Sequence, residues 1–281
     1  MRILILGGDG MLGHQLLKHL RPRHKVKVTL RQDFSAYIRF GMFNKEDVYD
    51  AIDIRSLGRI TEVMADFRPQ AVINAVGIVK QRPAAKDCIT SLEVNALLPH
   101  RLAVLCKGIG ARLIHLSTDC IFSGKKGSYV ESDPSDAEDL YGRTKYLGEI
   151  HEVNSLTLRT SIIGRELSRH TSLLDWFLSQ SGAVKGFTKA IYTGFTTLEM
   201  SRIIEMMLES FPDASGIYQV SSDPISKYEL LLLIKKILKH QIEVIPEDGF
   251  FCDRSLDSSR FRAEFNYIPP TWPAMVEELR I

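Results

Sequence analysis

The sequence predicts an α/β protein, with a doubly wound parallel sheet of the Rossmann type joined to a smaller mixed lobe. Apolar runs of strand length alternate with helical patterns through the first half of the chain, as strand–helix–strand units require. The first apolar run, residues 3–6, leads directly into a glycine-rich turn at 7–13 and then into a helical pattern. Polar side chains come after two later runs, residues 71–73 and 112–116, where each run ends. This order is typical of a sheet that binds a dinucleotide at its carboxyl edge.

Length and charge limit the classes of function. The chain has 281 residues, enough for a sizeable core in one large or two small domains. Its 36 basic and 34 acidic residues give a net charge of +2 without a run of one sign, so neither nucleic acid nor a membrane surface is indicated as a partner. The four scattered cysteines indicate reduced thiols and no metal site. The apolar run after Arg2 is too short for a signal peptide or a membrane span, so we expect a cytoplasmic protein.

The pattern divides the chain into two parts. We expect residues 1–165 to form the dinucleotide-binding domain and residues 166–281 to form mainly a substrate-binding lobe, because the alternation of strands and helices loosens after Arg165. Roughly residues 190–220 are expected to return to the main sheet, since residues 216–220 have the pattern of a further strand.

The glycine-rich turn is the first candidate cofactor site. Gly7 permits a tight turn after the strand, Gly10 lets the backbone approach a pyrophosphate, and Gly13 allows close packing of the helix. Met11 and Leu12 lie at the predicted helix N-terminus, where free N–H groups and a partial positive charge favour a phosphate. A structural turn without a ligand is the alternative interpretation.

The end of the second predicted strand, residues 26–30, bears on the choice of cofactor. A site for NAD(H) usually carries Asp or Glu at this point, whereas this chain has Arg31. Because a guanidinium pairs well with a phosphate, Arg31 favours NADP(H), and NAD(H) is the alternative. A surface arginine without a ligand is the other interpretation of this residue.

Two polar residues each admit two interpretations. Residues 51–54 are predicted to end an apolar segment, where Asp53 could accept from an adenine amino group or cap a helix predicted over Arg55–Phe67. Asn95 lies in a helix predicted from Ser91 to Lys107, where its amide could tie neighbouring backbone together or lie on the surface.

A further buried run ends in small side chains, at Asn74, Ala75, Val76 and Gly77. Small side chains at the carboxyl end of a central strand leave room for a ligand, which is where open α/β sheets bind one.

The next predicted strand, residues 112–116, delivers Ser117, Thr118 and Asp119 to its carboxyl end. A hydroxyl in this place can donate to a carbonyl oxygen of a substrate. Ser and Thr are also common in turns, so these hydroxyls indicate a catalytic site only together with the residues of the next predicted helix.

Tyr141 and Lys145 lie four residues apart in a predicted helix, so their side chains share one face, one turn apart. A phenol ionises near pH ~10, and a neighbouring ammonium favours the phenolate and makes the phenol a better proton donor. The pair therefore suits protonation of a carbonyl oxygen during its reduction. The same spacing also occurs on amphipathic helices that have no catalytic role.

The C-terminal part carries candidate substrate contacts. Phe187, Tyr192 and Phe195 cluster in a predicted glycine-containing loop, where they could stack on a nucleobase or pack in the core. Arg254 and Arg260 suit a diphosphate, and a solvated surface is the alternative.

Four motifs succeed one another along the chain: Gly7-x-x-Gly10-x-x-Gly13, Asn74-Ala75-x-Gly77, Ser117-Thr118-Asp119 and Tyr141-x-x-x-Lys145. Together they resemble the extended short-chain dehydrogenase/reductases. Within that group the chain is similar, over nearly its whole length, to the dTDP-4-dehydrorhamnose reductases and their relatives that act on nucleotide-linked 4-keto-6-deoxy sugars. The runs that carry this closer similarity are Leu116–Gly124, Leu158–Ser161 and Ser255–Phe261.

The resemblance implies roles by position. Thr118, Tyr141 and Lys145 would form the catalytic triad. The residues implied to bind the cofactor are Gly7, Gly10, Met11, Leu12, Gly13, Arg31, Asp53, Ile54, Asn74, Ala75, Val76, Gly77, Ser117, Lys145 and Thr160. Those implied to face the substrate are Thr118, Asp119, Tyr141, Ile162, Phe187 and Arg254.

The implied reaction is NADPH-dependent reduction of the C4 ketone of a nucleotide-diphospho 4-keto-6-deoxy sugar, a step of deoxysugar and cell-surface polysaccharide biosynthesis. The expected partner is the nucleotide sugar. Self-association as a homodimer is an alternative to a monomer.

Two departures from the related patterns bear on the substrate. Sugar-nucleotide dehydratases of this superfamily carry a glutamate where this chain has Cys120, and without it the elimination of water lacks its base. The reductases typically carry Trp where this chain has Ile162, a residue implied to face the sugar. An N-acetylated UDP-linked 4-keto sugar is therefore an alternative substrate.

Two rival functions share these motifs. A sugar-nucleotide epimerase would keep its cofactor through purification and consume no NADPH. A non-catalytic NADP-binding regulatory subunit would use the fold without turnover, and the intact Thr118, Tyr141 and Lys145 speak against it.

Overall fold

A computed structural model of the chain describes residues 1–80, 87–168 and 171–280. The strands in chain order are β1 Arg2–Leu6, β2 Lys25–Thr29, β3 Val48–Tyr49, β4 Ala71–Asn74, β5 Arg112–Thr118, β6 Ser155–Thr160, β7 Ile162–Ile163, β8 Ala183–Tyr192, β9 Phe195–Thr196, β10 Gly216–Gln219, β11 Ile225–Ser226 and β12 Glu243–Asp253. The helices are α1 Met11–Leu20, α2 Leu57–Phe67, α3 Cys88–Ser91, α4 Leu98–Ile109, α5 Leu140–Leu147, α6 Leu173–Ser179, α7 Thr197–Glu209, α8 Lys227–Leu238, α9 Ser259–Phe265 and α10 Trp272–Glu277. Within the described ranges, every helix is too short or too polar to span a bilayer.

Seven strands form the main sheet, in the order β3-β2-β1-β4-β5-β6-β10. Every neighbouring pair in this sheet is parallel. The chain steps outward from β1 in one direction through β2 and β3, and in the other direction from β4 onward. The order therefore reverses between β1 and β4, which confirms the predicted doubly wound sheet and sets a crevice at this switch point.

The continuous apolar run of β1 is explained by cores on both faces of the sheet. Ile3 and Ile5 join the core that contains the apolar side chains of α1, α7 and α8, and Leu4 and Leu6 join the core under α2 and α4. All four side chains are fully buried. A strand covered by helices on both faces needs apolar residues at successive positions, because neighbouring side chains point to opposite faces.

The C-terminal part builds a second, mixed sheet around β8. This strand pairs with β12 in parallel and with β11 in antiparallel orientation, and α8 packs against it. Between these segments the chain adds β10 to the edge of the main sheet, where Tyr218 lies opposite Leu158 of β6. The predicted fold class, a doubly wound parallel sheet with a smaller mixed lobe, is confirmed, and the lobe is built on this mixed sheet.

Residues 51–54, expected to end an apolar segment as at the end of a strand, lie between β3 and α2 and are not part of a strand. The strand is β3, two residues long, and the chain then turns through Ala51, which has a positive φ of 52°. Asp53 does not cap the following helix, because its carboxylate accepts from the backbone N–H and guanidinium of Arg55. The helix begins at Leu57, after Ser56.

Two further predictions of local structure need correction. The helix expected from Ser91 to Lys107 instead starts in α3, passes through a π-helical segment at Leu92–Leu97 and continues as α4 to Ile109. Phe187 and Tyr192 do not lie in a loop, because they belong to β8, and Phe195 belongs to β9. Gly186 lies within β8 and does not break it, since pairing with β12 continues through this position, whereas Gly194 lies between β8 and β9.

Candidate active site

A cavity of about 480 Å³ opens at the carboxyl ends of the central strands. Its wall includes the turn after β1, the segments that come after β4, β5 and β6, and parts of α5, β8 and β12. This volume is typical of sites for small molecules, and the place is the one that the switch point predicts. The main sheet supplies one side of the cavity and the smaller lobe supplies the other.

The glycine turn is shaped by close backbone contacts. Gly7 has a φ of +85°, which L side chains rarely adopt, and a Cβ on Gly13 would overlap the carbonyl oxygen of Gly7. Gly10, Met11 and Leu12 line the cavity, whereas Gly7 and Gly13 hold the turn behind it. The tight turn expected at Gly7 and the close packing expected at Gly13 agree with this geometry, and the approach of a pyrophosphate at Gly10 stays a prediction.

Sequence reasoning overlooked a fourth glycine of the turn. A Cβ on Gly8 would overlap the side chain of Val28 on β2. Gly8 comes directly after Gly7 in the same glycine-rich turn, so it was visible in the sequence. The requirement for glycine at this position arises from a contact with β2, which the spacing of the glycines does not reveal.

The segment after β4 forms the opposite rim of the switch point. Ala75, Val76 and Gly77 line the cavity. Asn74 is fully buried behind them, and its side-chain oxygen accepts from the Val76 backbone N–H at 3.2 Å. Its amide nitrogen lies 3.1 Å from Nδ1 of His115, so Asn74 supports the rim rather than facing the cavity.

Asn95 ties this rim to the helix that carries the candidate catalytic pair. Its side chain accepts from the Ile78 backbone N–H at 2.8 Å and donates to the Ile78 carbonyl at 3.0 Å. The same amide nitrogen lies 3.3 Å from the hydroxyl of Thr144 in α5. The expected tie between backbone segments is confirmed, and the alternative of a surface asparagine is wrong.

Thr118 and Asp119 lie where β5 ends, and both are buried in the cavity wall. The Thr118 hydroxyl donates to the Asp119 carboxylate at 3.1 Å and accepts from the Cys120 backbone N–H at 3.1 Å. Burial raises the pKa of the Asp119 carboxyl, and the positive charge of Arg254 offsets part of that rise. The hydroxyl is therefore held in one position at the cavity.

Tyr141 and Lys145 both line the cavity from α5. Asp139 caps this helix by accepting from the Gly142 backbone N–H at 2.9 Å. Gly142 itself packs so closely that a Cβ would overlap the Cys120 carbonyl oxygen, which seats the helix against the end of β5. The predicted pairing of the two side chains on one face of a helix agrees with this arrangement.

The electrostatics of Tyr141 differ from the expectation. Burial raises the pKa of its phenol, while a hydrogen bond with the Thr118 side chain works in the opposite direction. A net lowering by Lys145 is therefore wrong for this structure, because burial is the largest cause of the shift. The Thr118 hydroxyl and the phenol are therefore neighbours, and both residues line the same cavity.

Lys145 is buried and firmly held. Its Nζ donates to the Leu116 carbonyl at 2.6 Å and lies 3.5 Å from Nε2 of His115. Burial lowers the pKa of Lys145 to about 8, and the charge of Glu149 works against that lowering. This amine can therefore gain or lose a proton near neutral pH.

Ser117 lines the cavity, but its hydroxyl is engaged behind the wall. It donates to Glu149 at 2.6 Å, and the same carboxylate pairs with Arg159 of β6 at 2.8 Å. The side chains of Arg159 and Glu149 are 5% and 1% exposed. Arg159 was named from the sequence only as part of the run Leu158–Ser161. In the structure it joins the segment after α5 to the sheet beneath the site.

The residues expected at the adenosine end lie beyond the described cavity wall. Arg31 and Asp53 are exposed and Ile54 is partly buried. A hydrogen bond from Arg55 is the largest cause of the lowered pKa of Asp53, and the charge of Arg31 is near enough to act in the same direction. Their contacts with a cofactor stay predictions.

The residues expected to face the substrate fall into two groups. Ile162 and Arg254 line the cavity with the catalytic candidates, as does Thr160, which was expected at the cofactor. Phe187 does not, because its ring packs against Phe250 with 4.9 Å between centroids. Arg260 also lies elsewhere, over the ring of Tyr218 at 4.1 Å.

Several cavity residues were not assigned by sequence reasoning. They are Val79, Lys80, Ser161, Glu166, Thr171, Ser172, Leu173, Ala190, Ile191, Lys227 and Cys252. They come from segments far apart in the chain, so only folding brings them together. Tyr192, considered only for base stacking, is also in the wall and has a buried hydroxyl.

One group of potential metal ligands lies between α1 and α7, away from this cavity. Atoms of His24, Glu205 and Glu209 fall within 4.8 Å of one another. The same carboxylate of Glu205 also pairs with His19 at 2.8 Å and with Arg23. We interpret this group as an ion-pair cluster that joins the two helices.

Because a phenol, a hydroxyl and an amine meet where a dinucleotide-type sheet opens, the fold and the site place the chain among the extended short-chain dehydrogenase/reductases. This is a class of NAD(P)-dependent oxidoreductases. The family model of the RmlD substrate binding domain matches residues 1–167, more than half of the chain, and the chain belongs to that family. The resemblance noted in the sequence is thereby confirmed.

Two curated relatives illustrate the similarity. The dTDP-4-dehydrorhamnose reductase of Aggregatibacter actinomycetemcomitans is 24% identical, and the match covers 99% of this chain and 98% of that protein. The enzyme of the same name from Burkholderia thailandensis is 28% identical over 57% of this chain. That match spans only 50% of the Burkholderia protein.

Solved structures agree with the fold. A hypothetical dTDP-4-dehydrorhamnose reductase from Sulfolobus tokodaii superposes with a TM-score of 0.76 at 27% identity, covering 94% of each chain. The dTDP-4-dehydrorhamnose reductase of Bacillus anthracis, in complex with NADP, superposes with a TM-score of 0.78 at 20% identity. That match covers 99% of this chain and 98% of the Bacillus chain.

Proposed function

We propose that this protein uses NADPH to reduce the C4 ketone of a nucleotide-diphospho 4-keto-6-deoxy sugar. The observation that carries the proposal is the convergence of Thr118, Tyr141 and Lys145 on one cavity beside the glycine turn. Family membership and the relatives named as dTDP-4-dehydrorhamnose reductases support the same reaction. NAD(H) is the alternative cofactor.

The glycine turn fits the pyrophosphate of such a cofactor. The N-terminus of α1 has no side-chain cap, so its first N–H groups are free to bind phosphate oxygens. Gly10 has no side chain to block this approach, and Met11 and Leu12 come next in the cavity wall. Arg31 is proposed to pair with the 2′-phosphate, with Asp53 and Ile54 beside the adenine.

The remaining cofactor contacts are assigned along the strand ends. Ala75, Val76 and Gly77 would lie along the dinucleotide, Thr160 near the nicotinamide, and Lys145 at its ribose. Asn74 and Ser117 are proposed to act from behind the wall, since each is bonded to protein groups. In this arrangement residues 1–165 bind the cofactor, and residues 166–281 mainly bind the sugar nucleotide.

Bound NADPH supplies the hydride that adds to C4 of the sugar. Tyr141 donates its phenolic proton to the ketone oxygen. The Thr118 hydroxyl, which donates to Asp119 in this structure, would turn its one hydrogen to the same ketone oxygen. The product is an alcohol, with the hydride on carbon and the phenol proton on oxygen. A protonated Lys145 favours the phenolate that Tyr141 becomes, which lowers the cost of the proton transfer.

Dehydration of a sugar nucleotide is disfavoured by the residue next to Asp119. Burial raises the pKa of the Cys120 thiol to about 12, so this side chain stays protonated at neutral pH and lacks the character of a base. On the substrate side, Arg254 is proposed to bind the diphosphate, and Ile162 to face the sugar.

The test is NADPH oxidation measured at 340 nm with a panel of dTDP-, UDP- and GDP-linked 4-keto sugars. Turnover with a dTDP-linked 4-keto-6-deoxy sugar is expected to be highest. Preference for a UDP-linked N-acetyl sugar would change the proposed substrate but not the proposed reaction. Epimerised product without NADPH oxidation would identify an epimerase, and binding of NADP without turnover of any sugar would favour a regulatory subunit.

A further inference from the structure

His115 is a buried histidine that the reaction above does not use. It lies on β5 with no exposed surface, between the rim of the switch point and the candidate catalytic helix. Its Nδ1 is 3.1 Å from the amide nitrogen of Asn74, and its Nε2 is 3.5 Å from Nζ of Lys145. One imidazole thus bridges a backbone-supporting amide and the catalytic amine.

The hydrogen bonds of Asn74 decide which nitrogen of His115 carries the proton. The Asn74 side-chain oxygen already accepts from the Val76 backbone N–H, so the group that faces His115 is the NH₂ donor. A donor can bond only to an unprotonated Nδ1. A neutral imidazole then carries its single hydrogen on Nε2, where it points toward Lys145.

The surroundings keep this imidazole neutral. Burial lowers the pKa of His115 well below its ordinary value, and the charges of Lys145 and His100 act in the same direction. No carboxylate contacts the ring among the described hydrogen bonds of His115. Its Nε2–H is therefore a fixed donor at neutral pH.

A fixed N–H donor beside Nζ interacts differently with the neutral amine and the ammonium form of Lys145. The neutral amine has a lone pair that can accept from Nε2–H while one of its own hydrogens bonds the Leu116 carbonyl. The ammonium has hydrogens only, so one of them must face the hydrogen of Nε2. We propose that His115 is a positioning residue that, through its Nε2–H, holds the Lys145 nitrogen in place and favours its unprotonated form.

The other groups around Lys145 bear on the same balance. Glu149, the second residue after α5, favours the ammonium, but its carboxylate is shared with Arg159 and Ser117. Tyr141 is neutral at physiological pH because burial raises its pKa. Burial lowers the pKa of Lys145 to about 8, and a carboxylate that is already compensated does little to restore it.

The consequence is a lysine that can exchange its proton close to neutral pH. In the proposed reduction, Tyr141 must recover a proton after each turnover, and an amine with a pKa near the working pH can pass one on. This consequence rests on the proposed function, whereas the arrangement of His115 and Lys145 does not.

The first experiment needs no substrate. Long-range ¹H–¹⁵N NMR of the histidine rings distinguishes the Nδ1–H and Nε2–H forms, and loss of one signal in His115→Gln assigns the residue. We expect His115 to be neutral with hydrogen on Nε2 throughout pH 6–8. Hydrogen on Nδ1, or a charged ring in that range, overturns the proposal.

The second experiment measures Lys145 itself by the pH dependence of its ¹³Cε NMR shift, assigned with Lys145→Arg. His115→Gln can turn its amide oxygen toward Nζ, and His115→Phe removes the donor at similar volume. Both are expected to raise the pKa of Lys145, by roughly one unit for the glutamine. His151→Gln, at an exposed position, is the matched control and should leave the pKa unchanged.

An unchanged Lys145 pKa in both folded variants would show that His115 only fills space. If one variant fails to fold, the other variant and the ring tautomer still decide. Where turnover has been established, the alkaline limb of kcat/KM should move upward with the lysine pKa. Failure of every sugar nucleotide to react would reject the proposed function while leaving both NMR outcomes intact.

Discussion

The Nζ of Lys145 donates a hydrogen bond to the backbone carbonyl of Leu116, with 2.6 Å between the two atoms. Leu116 lies on β5, the same strand that carries Thr118. The bond therefore joins the helix of the candidate proton donor to the strand of the candidate hydroxyl. Relative movement of Tyr141 and Thr118 would break it, so the pair is held in register by the lysine as well as by packing.

Replacement of Tyr141 by Phe removes the phenolic hydroxyl and keeps the ring. We expect kcat to fall by about 10²–10⁴-fold, because general acid catalysis is lost. The Kd for NADPH, measured by quenching of nucleotide fluorescence, should change little. Thr118→Val, which also removes one hydroxyl, should lower kcat by a smaller factor, and full activity of Tyr141→Phe would reject the mechanism.

Replacement of Gly13 by Ala places a methyl group on the carbonyl oxygen of Gly7. The turn must open to accept it, so we expect a loss of roughly 1–3 kcal/mol in the free energy of unfolding and weaker binding of NADPH. Urea unfolding and a nucleotide titration measure the two effects.

Gly58→Ala is the matched control for that change. Gly58 lies in α2, where an added Cβ would have nothing within 4 Å, and alanine favours helix over glycine by roughly 0.5–1 kcal/mol. The control should be neutral or slightly more stable. Equal effects of the two alanines would contradict the role of the Gly13 contact.

Replacement of Arg159 by Met leaves the buried carboxylate of Glu149 without its cation. Breaking a buried pair in this way typically costs about 3–5 kcal/mol in the free energy of unfolding. The exposed pair of Arg59 and Glu62 on α2 is the control, and Glu62→Gln should change stability by less than ~0.5 kcal/mol. Chemical unfolding followed by circular dichroism compares them, and similar small losses would show that the Arg159 pair is not desolvated.

Replacement of Lys145 by Met should change the stability of the protein in a pH-dependent way. Burial lowers the pKa of Lys145 to about 8, below the ~10.4 of an unfolded chain, so between these values the unfolded state binds more protons. The native lysine therefore destabilises most below pH 8, and the penalty fades as pH rises to ~10.4. The loss of the bond to the Leu116 carbonyl is common to both pH values, so we expect the change in unfolding free energy to be roughly 3 kcal/mol more favourable at pH 7 than at pH 10.5, by urea unfolding. An equal change at both pH values would contradict the shift.

Replacement of Arg254 by Met tests the proposed diphosphate contact. Arg254 lines the cavity, and its Nε donates to the Phe122 carbonyl at 2.7 Å, which leaves other guanidinium hydrogens for a ligand. KM for the nucleotide sugar should rise by about 10–100-fold, or about 1.4–2.7 kcal/mol, with little change in the Kd for NADPH. Arg260→Met, outside the cavity wall, is the control and should leave KM unchanged.

Local patterns were sufficient to predict the parts of the site that lie next to strand ends. The run at residues 3–6 with its glycines, and the hydroxyls after residue 116, each combine a strand with the residue that comes after it. Since parallel strands in a doubly wound sheet end at one edge, their sequence order already places Gly10 and Thr118 on the same side. The spacing of Tyr141 and Lys145 adds a helix face by the same kind of local rule.

Where prediction went wrong, contacts between distant segments decided the outcome. Phe187 was expected in a loop near a ligand, but pairing with β12 makes its segment a strand and turns the ring toward Phe250. The expected lowering of the Tyr141 pKa failed because burial, which depends on everything packed around the phenol, is larger than the effect of one neighbour.

The amino-acid sequence alone determined which chemistry this protein has available: a glycine turn after a strand, and a hydroxyl, a phenol and an amine in a set order. Only the tertiary structure decided the state of those groups. It set His115 between Asn74 and Lys145, and it buried Arg159 against Glu149. The physical reason is that the periodicity of side chains is a local property, whereas desolvation and hydrogen-bond direction depend on segments that meet only after folding.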